Sequence, residues 1–480
     1  MRDGRIVDIT PATDALASLY PRATVVDARG RIVFPGFVNS HFHGEGVLLR
    51  FLTDRTPFAH WQSLPALRTA FLALMESDSD RIVRTAYEAA VSMHLTHGTT
   101  SVGEYPLAYA PATLEAAVEA SSQAGLECVF ALQNWDQVEY ARTHGAGKST
   151  FALALGSEES YTVYSFEGLI RASREMHLPL VAHIGEQRKD VELVRRNFRK
   201  SPMRVLREYG LLQNDSVLLH GNHLGHDDLA VVRESGATLS LCAGSAARKQ
   251  TGCPMIRHLA TEDVRVSLGT DWGASSILAE MRFLRRLPAL LPGSPQFSAL
   301  ELMRMGTING AHALGIAAHT GSLEIGKKAN LVMMPRDSAA LPPLGAHPTA
   351  EEIATTVVDY CDAGMITDVM TEGVFRIRNG IASGLDVERV GQEFRGLQER
   401  FLPEWFTQRR VDGKGVSFVS AERNGGGTTS PSAQKEDQVP LADAPRTINL
   451  SHPGPHPTDA HQKAPEAPKK IKKVFGEDDF

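Results

Sequence analysis

The chain has 480 residues, of which 42% are hydrophobic and 22% charged, which is ordinary for a globular protein large enough for a barrel with appended elements. A formal net charge of −6 argues against a nucleic-acid partner, and the four scattered cysteines form no CxxC pair. No apolar stretch approaches the length of about 18 residues that a membrane span needs, and the N-terminus has no signal-peptide core, so we expect a cytoplasmic protein.

The chain opens with short strand-like runs separated by turns. The third of them, RIVFPGFVNSHFH (residues 31–43), ends in two histidines. Because successive side chains of a strand point to opposite faces, His41 and His43 point the same way. Two such imidazoles at the end of a strand could chelate one ion, or they could be surface residues beside a glycine.

From about residue 80 the chain alternates helical segments with short apolar strands. SDRIVRTAYEAAVSMHLTHG precedes TTSVGEY, FEGLIRASREMH precedes LPLVAHIGE, and MIRHLATED precedes VRVSLGTD. Such alternation implies parallel strands joined by helical crossovers. Six or more of these units favour a closed, TIM-like (β/α)8 barrel. An open doubly wound sheet is the main alternative, but no glycine-rich phosphate fingerprint follows any of these strands.

Short strands return after the barrel and resemble those at the start of the chain. We therefore predict a small β-sandwich domain built from residues 1–35 and 316–390, flanking an α/β barrel over residues 36–315. Residues 391–420 are predicted to form a helical extension. Residues 421–480 are rich in Gly, Ser, Thr and Pro and are predicted to be a disordered tail. The end of the tail, PKKIKKVFGEDDF, is either a docking peptide or a plain solvated segment.

Polar side chains follow four of the predicted barrel strands, at the end where β/α barrels carry their chemistry. His41 and His43 end the first strand, His183 ends LPLVAHI, His220 ends SVLLH, and Asp271 ends VRVSLGTD. A single histidine after a strand is usually an ordinary loop residue. The conjunction of these residues at one rim favours a metal site.

Three neutral imidazoles and one carboxylate suit one divalent ion, with zinc expected first and iron or manganese as alternatives. Zinc lowers the pKa of a bound water to about 7, which favours hydrolysis near neutral pH. Asp271 could contact the metal and accept that proton, and Glu186 could deliver a proton to a leaving nitrogen. His220 could stabilise the nucleophile or a developing oxyanion by a hydrogen bond. These residues together predict a hydrolase.

The segments PGFVNSHFH, HIGE, LLHGNHLG and SLGTD resemble the signature of the amidohydrolase superfamily. The chain is similar to the mononuclear branch that contains the triazine chlorohydrolases and the purine-type deaminases, over residues 1 to about 385. The resemblance implies a proton shuttle at Glu186, a water- or substrate-polarising residue at His220, and a homodimer. It also implies one metal with four ligands, namely His41, His43, His183 and Asp271. A single metal is expected because no strand in the middle of the barrel ends in a lysine placed like the bridging lysine of the binuclear relatives.

Two segments near the expected pocket depart from the family pattern. CAGSA, from Cys242 to Ala246, stands where relatives usually have Cys-Pro-x-Ser-Asn, so Ala246 replaces an asparagine. GSEESYTVYS stands where many deaminases have a Pro- and His-containing loop. Both departures fall near the expected substrate pocket and leave the identity of the substrate open.

Several polar or aromatic residues are candidates for substrate binding. Gln133 and Trp135 follow the strand CVFAL and could hydrogen-bond and stack on a planar ring. Arg188 and Arg248 could clamp a carboxylate or phosphate, although solvated loop arginines are the alternative. Glu104 ends a predicted strand, and either faces the pocket or makes a structural hydrogen bond.

We therefore predict a metal-dependent deaminase that hydrolyses a C–N bond of a planar cyclic amidine of the purine, pyrimidine, pterin or triazine type and releases ammonia. A heteroaromatic chlorohydrolase would use the same groups with another leaving group. The run HIGEQ also resembles formiminoglutamate deiminases, which would need cationic residues such as Arg188 and Arg248 for the two carboxylates of their substrate. A catalytically inactive scaffold that binds a partner through its tail is the alternative of a different class, and the intact ligand set argues against it.

Overall fold

The computed structural model describes residues 1–401, with short gaps at 12–19, 54–55, 75–78, 145–149, 254–255, 257–258, 260–262, 292–293 and 295. The predicted disordered tail, at 421–480, and the part of the predicted helical extension beyond residue 401 lie outside the described residues. Among the helices that the structure describes, none combines the length and the apolar character needed to cross a lipid bilayer.

The described part of the chain contains fourteen strands in two sheets. In chain order the strands are β1 (Arg31–Pro35), β2 (Phe37–His43), β3 (Thr99–Glu104), β4 (Glu127–Leu132), β5 (Thr150–Leu155), β6 (Leu180–Ile184), β7 (Val217–His220), β8 (Thr238–Leu241), β9 (Val266–Leu268), β10 (Asp271–Trp272), β11 (Leu331–Pro335), β12 (Asp368–Thr371), β13 (Val374–Arg378) and β14 (Ile381–Ala382).

Helices connect the strands and cover the outside of the larger sheet. In chain order the α-helices are α1 (Gly46–Thr53), α2 (Pro65–Ala73), α3 (Ser79–Thr96), α4 (Pro111–Ala124), α5 (Trp135–His144), α6 (Val163–Met176), α7 (Arg188–Phe198), α8 (Pro202–Glu208), α9 (His226–Ser235), α10 (Ala243–Lys249), α11 (Ile277–Arg286), α12 (Ala299–Met305), α13 (Ile308–Ala313), α14 (Ala350–Thr355) and α15 (Val387–Phe401). Helix α4 illustrates the sequence signals for the two ends of a helix. It begins with a proline and is followed by Gly125, whose φ of 75° closes the last turn.

The larger sheet closes on itself. Strands β2 to β9 are hydrogen-bonded in chain order, and every adjacent pair is parallel. β9 and β10 lie in one short segment, residues 266–272, in which β9 pairs with β8 and β10 pairs with β2. This segment therefore acts as the eighth strand of a barrel. The predicted TIM-like (β/α)8 fold is confirmed.

Strand β2 carries the first two histidines into the interior of the barrel. All seven of its residues are buried, as expected for a strand covered on both faces. Phe42 packs outward, with its ring centroid 4.4 Å from that of His94 on α3. His41 and His43 point the other way and meet side chains from other strands, in agreement with the predicted alternation.

The smaller sheet is antiparallel and is built from both ends of the described chain, in the order β1-β11-β12-β13-β14. The predicted small β-domain from both chain ends is confirmed. Within the described residues it forms one sheet, and the second layer of a sandwich is not seen there. The reason is that the barrel supplies the packing partner, since Val332, Met334 and Val369 of this sheet belong to the main hydrophobic core.

Buried polar side chains join β2 to the segment that closes the barrel. The Nδ2 of Asn39 donates to the Oγ1 of Thr270 at 2.7 Å, and the backbone N–H of Thr270 points to the Oδ1 of Asn39 at 3.1 Å. The Oγ of Ser40 lies 2.7 Å from that of Ser240 and 2.8 Å from that of Ser267. These bonds satisfy polar groups that have no access to water, and they fix the closing strand against β2.

Gly269 lies where the closing segment passes closest to β2. A Cβ at this position would lie 2.7 Å from the Cβ of His41 and 3.0 Å from the Sγ of Cys242. The neighbouring Cβ belongs to a buried strand residue and cannot swing away. Gly269 is therefore required for space.

We expect Gly269→Ala to lower the free energy of unfolding by about 1–3 kcal/mol, because the added methyl overpacks the contact with His41. Urea denaturation of the two proteins measures the difference. Gly345→Ala is the matched control, since a Cβ at Gly345 has no atom within 4 Å among the described residues and should leave the midpoint nearly unchanged. Equal effects of the two substitutions would contradict the close approach.

Candidate active site

Four imidazoles and one carboxylate meet at the carboxyl ends of β2, β6, β7 and the closing strand. The ring centroid of His41 lies 4.8 Å from that of His43, 5.0 Å from that of His183 and 5.4 Å from that of His220. The Oδ1 of Asp271 lies 3.4 Å from the Nε2 of His41 and 3.3 Å from the Nε2 of His43. Barrel closure thus gathers residues that are far apart in the sequence into one cluster, as predicted.

Two of these residues have an unusual backbone. His220 has a φ of 73° and Asp271 a φ of 56°, both in the left-handed region that residues with a side chain rarely adopt. Such a conformation costs about 1–3 kcal/mol and persists only where the surrounding structure imposes it. In both cases it turns a side chain into the cluster at the point where a strand ends or begins.

Burial favours the neutral form of three of these imidazoles, those of His41, His183 and His220. Burial lowers the pKa of His41 to about 3, and burial also lowers the pKa of His183 well below its usual value. The pKa of His220 is lowered as well, again mainly by burial. A neutral imidazole has a free lone pair, which is the form that binds metal ions.

The orientation of His43 is set by the backbone. Its Nδ1 donates a hydrogen bond to the carbonyl oxygen of Tyr105 at 2.7 Å. The Nε2 of the same ring then faces Asp271. Metal-binding histidines are commonly oriented in this way by a carbonyl or carboxylate acceptor.

The residues of the cluster fit a divalent metal ion. Within the cluster, three buried atoms have no hydrogen-bond partner among the described residues, and these are the Nε2 of His41, the Nε2 of His220 and the Oδ1 of Asp271. Unpaired polar atoms of this kind are costly unless a further group binds them. Two ligands bound to a tetrahedral ion at about 2.0–2.1 Å lie about 3.3–3.4 Å apart, which matches the distances from Asp271 Oδ1 to the two imidazoles.

Glu186 lies at the edge of this cluster, in the loop after β6. Its carboxylate is buried, and its Oε2 lies 3.8 Å from the Nε2 of His220. The amide nitrogen of Asn222 donates to the backbone carbonyl of Glu186 at 3.3 Å. The predicted proton-transfer residue is therefore beside the predicted polarising histidine.

Lys249 places its ammonium group between the two carboxylates of the site. Its Nζ lies 2.6 Å from the Oδ2 of Asp271 and 2.9 Å from the Oε1 of Glu186. The Oγ of Ser245 donates to the same Oδ2 of Asp271 at 2.5 Å. Burial alone would raise the pKa of Asp271, but the Lys249 ammonium holds it well below its usual range. Asp271 thus presents one oxygen to the imidazoles and the other to Lys249.

Neither Ser245 nor Lys249 is among the site residues predicted from the sequence. The signal that could have found them is their spacing, because residues four apart lie on the same face of a helix, here α10. Arg248, which the sequence did suggest, faces elsewhere, and its Nη2 donates to the backbone carbonyl of Trp272 at 2.7 Å.

The residues predicted to bind substrate make other contacts. The Oε1 of Glu104 accepts a hydrogen bond from the backbone N–H of Gly44 at 2.6 Å, which is the structural alternative named above. The side-chain amide of Gln133 donates to the carbonyl of Pro106. Their roles in substrate binding stay predictions.

The other two candidates of this kind are exposed to solvent. Trp135 begins α5 and is 42% exposed, and the guanidinium carbon of Arg171 lies 4.7 Å from its ring centroid. Arg188 is exposed at the start of α7. The structure thus brings the four predicted metal ligands together with Glu186 and His220. It does not bring the side chains of Trp135 and Arg188 into this cluster.

A known protein family matches more than half of the chain. Residues 32–376 match the model of the amidohydrolase family, and the chain belongs to that family. A protein of Moorella thermoacetica named 5-methylthioadenosine/S-adenosylhomocysteine deaminase is 27% identical over 414 residues, which cover 81% of this chain and 92% of that protein.

Solved structures share the fold. A zinc-bound adenosine deaminase from Xanthomonas campestris superposes with a TM-score of 0.73 at 21% identity, covering 83% of this chain and 92% of that one. An atrazine chlorohydrolase from Arthrobacter aurescens in complex with zinc superposes with a TM-score of 0.72 at 20% identity, covering 83% of this chain and 94% of that one. At these identities the likeness concerns the fold.

We expect the metal-free protein to lose stability as the pH falls from about 7 to about 5. The folded state keeps His41 neutral down to about pH 3, whereas the unfolded chain protonates it near its ordinary value of 6.5. The unfolded state therefore binds more protons in this range, so that the free energy of unfolding falls with the pH. Urea denaturation at several pH values measures the slope.

His41→Asn removes this titrating group and should make the slope shallower. The matched control is His60→Asn, because His60 is exposed and should contribute little to the slope. A slope that His41→Asn leaves unchanged would contradict the neutral, buried state of His41.

Proposed function

We propose that the protein is a metal-dependent deaminase that hydrolyses the exocyclic C–N bond of a planar cyclic amidine, with an adenine-type ring as the first candidate. The observation that carries the proposal is the cluster itself, in which unpaired polar atoms of His41, His220 and Asp271 face one another beside the carboxylate of Glu186. Membership of the amidohydrolase family supports a hydrolytic reaction. The name of the Moorella relative supports ammonia as the leaving group and an adenosine-containing substrate.

The metal ligands in this proposal are His41, His43, His183 and Asp271. Imidazole and carboxylate ligands suit zinc, and iron or manganese are the alternatives. When bound, such an ion supplies a Lewis acid that makes water available as a nucleophile near neutral pH.

The protein groups then handle the protons. Glu186 accepts a proton from the attacking water and passes it to a ring nitrogen of the substrate. The remaining proton of the added hydroxyl group then passes to the amino group, so that the C–N bond breaks, a carbonyl forms and ammonia leaves. His220 stabilises the oxyanion that develops on the attacked carbon by a hydrogen bond. The distance of 3.8 Å between Glu186 Oε2 and His220 Nε2 supports a common site of action on one carbon atom.

Two other reactions are supported less well. A chlorohydrolase would use the same groups, but the Moorella relative bears the name of a deaminase. A formimino deiminase would need cations for two substrate carboxylates. The guanidinium group of Arg248 donates to the backbone carbonyl of Trp272, and Arg188 is exposed to solvent. Neither arginine is therefore placed to bind the carboxylates of a formimino substrate. A homodimer, a docking role for the C-terminal segment and a cytoplasmic location stay predictions.

Ammonia release tests the proposed function. The zinc-loaded protein should release ammonia from at least one adenine-type nucleoside within a panel that also contains pterins, pyrimidines, triazines and formimino acids. The metal-stripped protein is the control and should be inactive. Chloride release from a chlorotriazine without ammonia from any amine would favour the chlorohydrolase, and silence across the panel would contradict a deaminase of this substrate class.

Glu186→Gln tests the mechanism. We expect it to keep its zinc, because Glu186 is not among the four proposed ligands, and to lower kcat by about 10²-fold or more, as for the loss of a general acid–base. Metal analysis and steady-state kinetics measure the two effects. Glu159→Gln is a matched control on the same side of the barrel, since Glu159 pairs with Lys189 at the surface. A kcat that Glu186→Gln leaves unchanged would remove Glu186 from the mechanism.

A further inference from the structure

We propose that Lys249 is a positioning residue. It holds the two carboxylates of the site in fixed orientations, with that of Asp271 turned toward the imidazoles and that of Glu186 beside His220. This inference rests on the proposed function, because it concerns the groups that perform the reaction. It is carried by the contacts of the Lys249 ammonium group, which link the two carboxylates directly.

The two oxygens of Asp271 have separate partners. Its Oδ1 faces His41 and His43, and has no hydrogen-bond partner among the described residues. Its Oδ2 is held by Lys249 and by the hydroxyl of Ser245. Lys249 therefore does not occupy the place of a metal ion, and instead fixes the carboxylate so that the free oxygen points at the imidazoles. Groups that orient a metal ligand in this way commonly change affinity or activity by about 10–100-fold when they are removed.

The same ammonium group also holds Glu186. Its Nζ is 2.9 Å from the Oε1 of Glu186, whose other oxygen is the one nearest to His220. Two carboxylates that share a buried site repel each other, and a cation between them offsets this repulsion. With Lys249 in place, the proton-transfer oxygen and the ligand oxygen keep a fixed separation.

The surroundings of Lys249 show that the pairing is its function in the fold. The residue is only 5% exposed, and lysine is seldom buried unless it is paired. The rings of Phe58 and Trp61 lie on it, with centroids 4.7 Å and 5.5 Å from Nζ. Aromatic faces stabilise a cation and keep water from competing for the two carboxylates. Helix α10 delivers Ser245 and Lys249 from one face to the same oxygen of Asp271.

Kinetics of Lys249→Met, alone and combined with Glu186→Gln, test the inference. Because Lys249 acts through Glu186 and Asp271, we expect the single variant to lower kcat by about tenfold or more with KM within about twofold. In the Glu186→Gln background the further loss should be clearly smaller, since one of the two groups that Lys249 positions is already missing. Lys249→Arg keeps a cation and should retain more of kcat than Lys249→Met. Lys200→Met, at an exposed lysine that pairs with Glu208, is the matched control.

Two kinetic results would overturn the inference. An equal loss of kcat in both backgrounds would show that Lys249 does not act through Glu186, and a raised KM with an unchanged kcat would show a direct contact with the substrate. A Lys249→Arg variant no better than Lys249→Met would also contradict a role for the cation.

Unfolding measurements keep the inference testable if the wild-type protein releases no ammonia from the panel. That result would overturn the proposed function alone. In urea denaturation of the zinc-loaded proteins, Lys249→Met should destabilise, and Glu186→Gln should reverse part of the loss because it removes an unpaired buried charge. Strictly additive effects of the two substitutions would overturn the pairing, whatever the substrate.

Discussion

The contact of Asp271 with His41 and His43 is the one on which the site depends, and closure of the barrel makes it. The closing segment is held against β2 by the hydrogen bonds between Asn39 and Thr270. Asp271, the next residue, takes a left-handed backbone conformation that turns its carboxylate inward. A strained residue of this kind needs a rigid frame, and the paired strands on both sides provide it. The same hydrogen bonds therefore stabilise the closed barrel and fix the position of Asp271 in the site.

The buried acidic residues in and around the site differ in the direction in which their pKa values are shifted. Burial raises the pKa of Glu104 well above its usual value, and burial raises the pKa of Glu158 to about 8. Both carboxyl groups accept a backbone N–H, of Gly44 and Gly185 respectively. Asp271 is different, because the Lys249 ammonium overcomes the effect of burial and keeps it ionised. The Asp271 carboxylate beside the imidazoles is thereby paired with a cation, whereas burial shifts these two surrounding acids toward their neutral form.

The sequence predicted the barrel and the imidazole cluster because both depend on local patterns. Apolar strands that alternate with helices determine the topology, and the position of His183 or Asp271 at a strand end determines where its side chain goes. Lys249 could not be separated from Arg248 in the same way, because the inward face of a seven-residue helix depends on its exact first residue. The exposed position of Trp135 depends on how α5 packs beside Arg171 of α6, which no local pattern encodes.

The departures from the family pattern fall on loops and helices beside the strand ends. Ala246, which stands where relatives have an asparagine, is buried in α10 on the helix that carries Lys249. Glu158, in the loop that lacks the usual Pro- and His-containing sequence, accepts a hydrogen bond from the backbone N–H of Gly185, which lies between His183 and Glu186. The proposed metal ligands thus lie at the ends of strands, whereas these departures lie in the loops and helices beside them. For this reason the resemblance to the family extends to the reaction more securely than to the substrate.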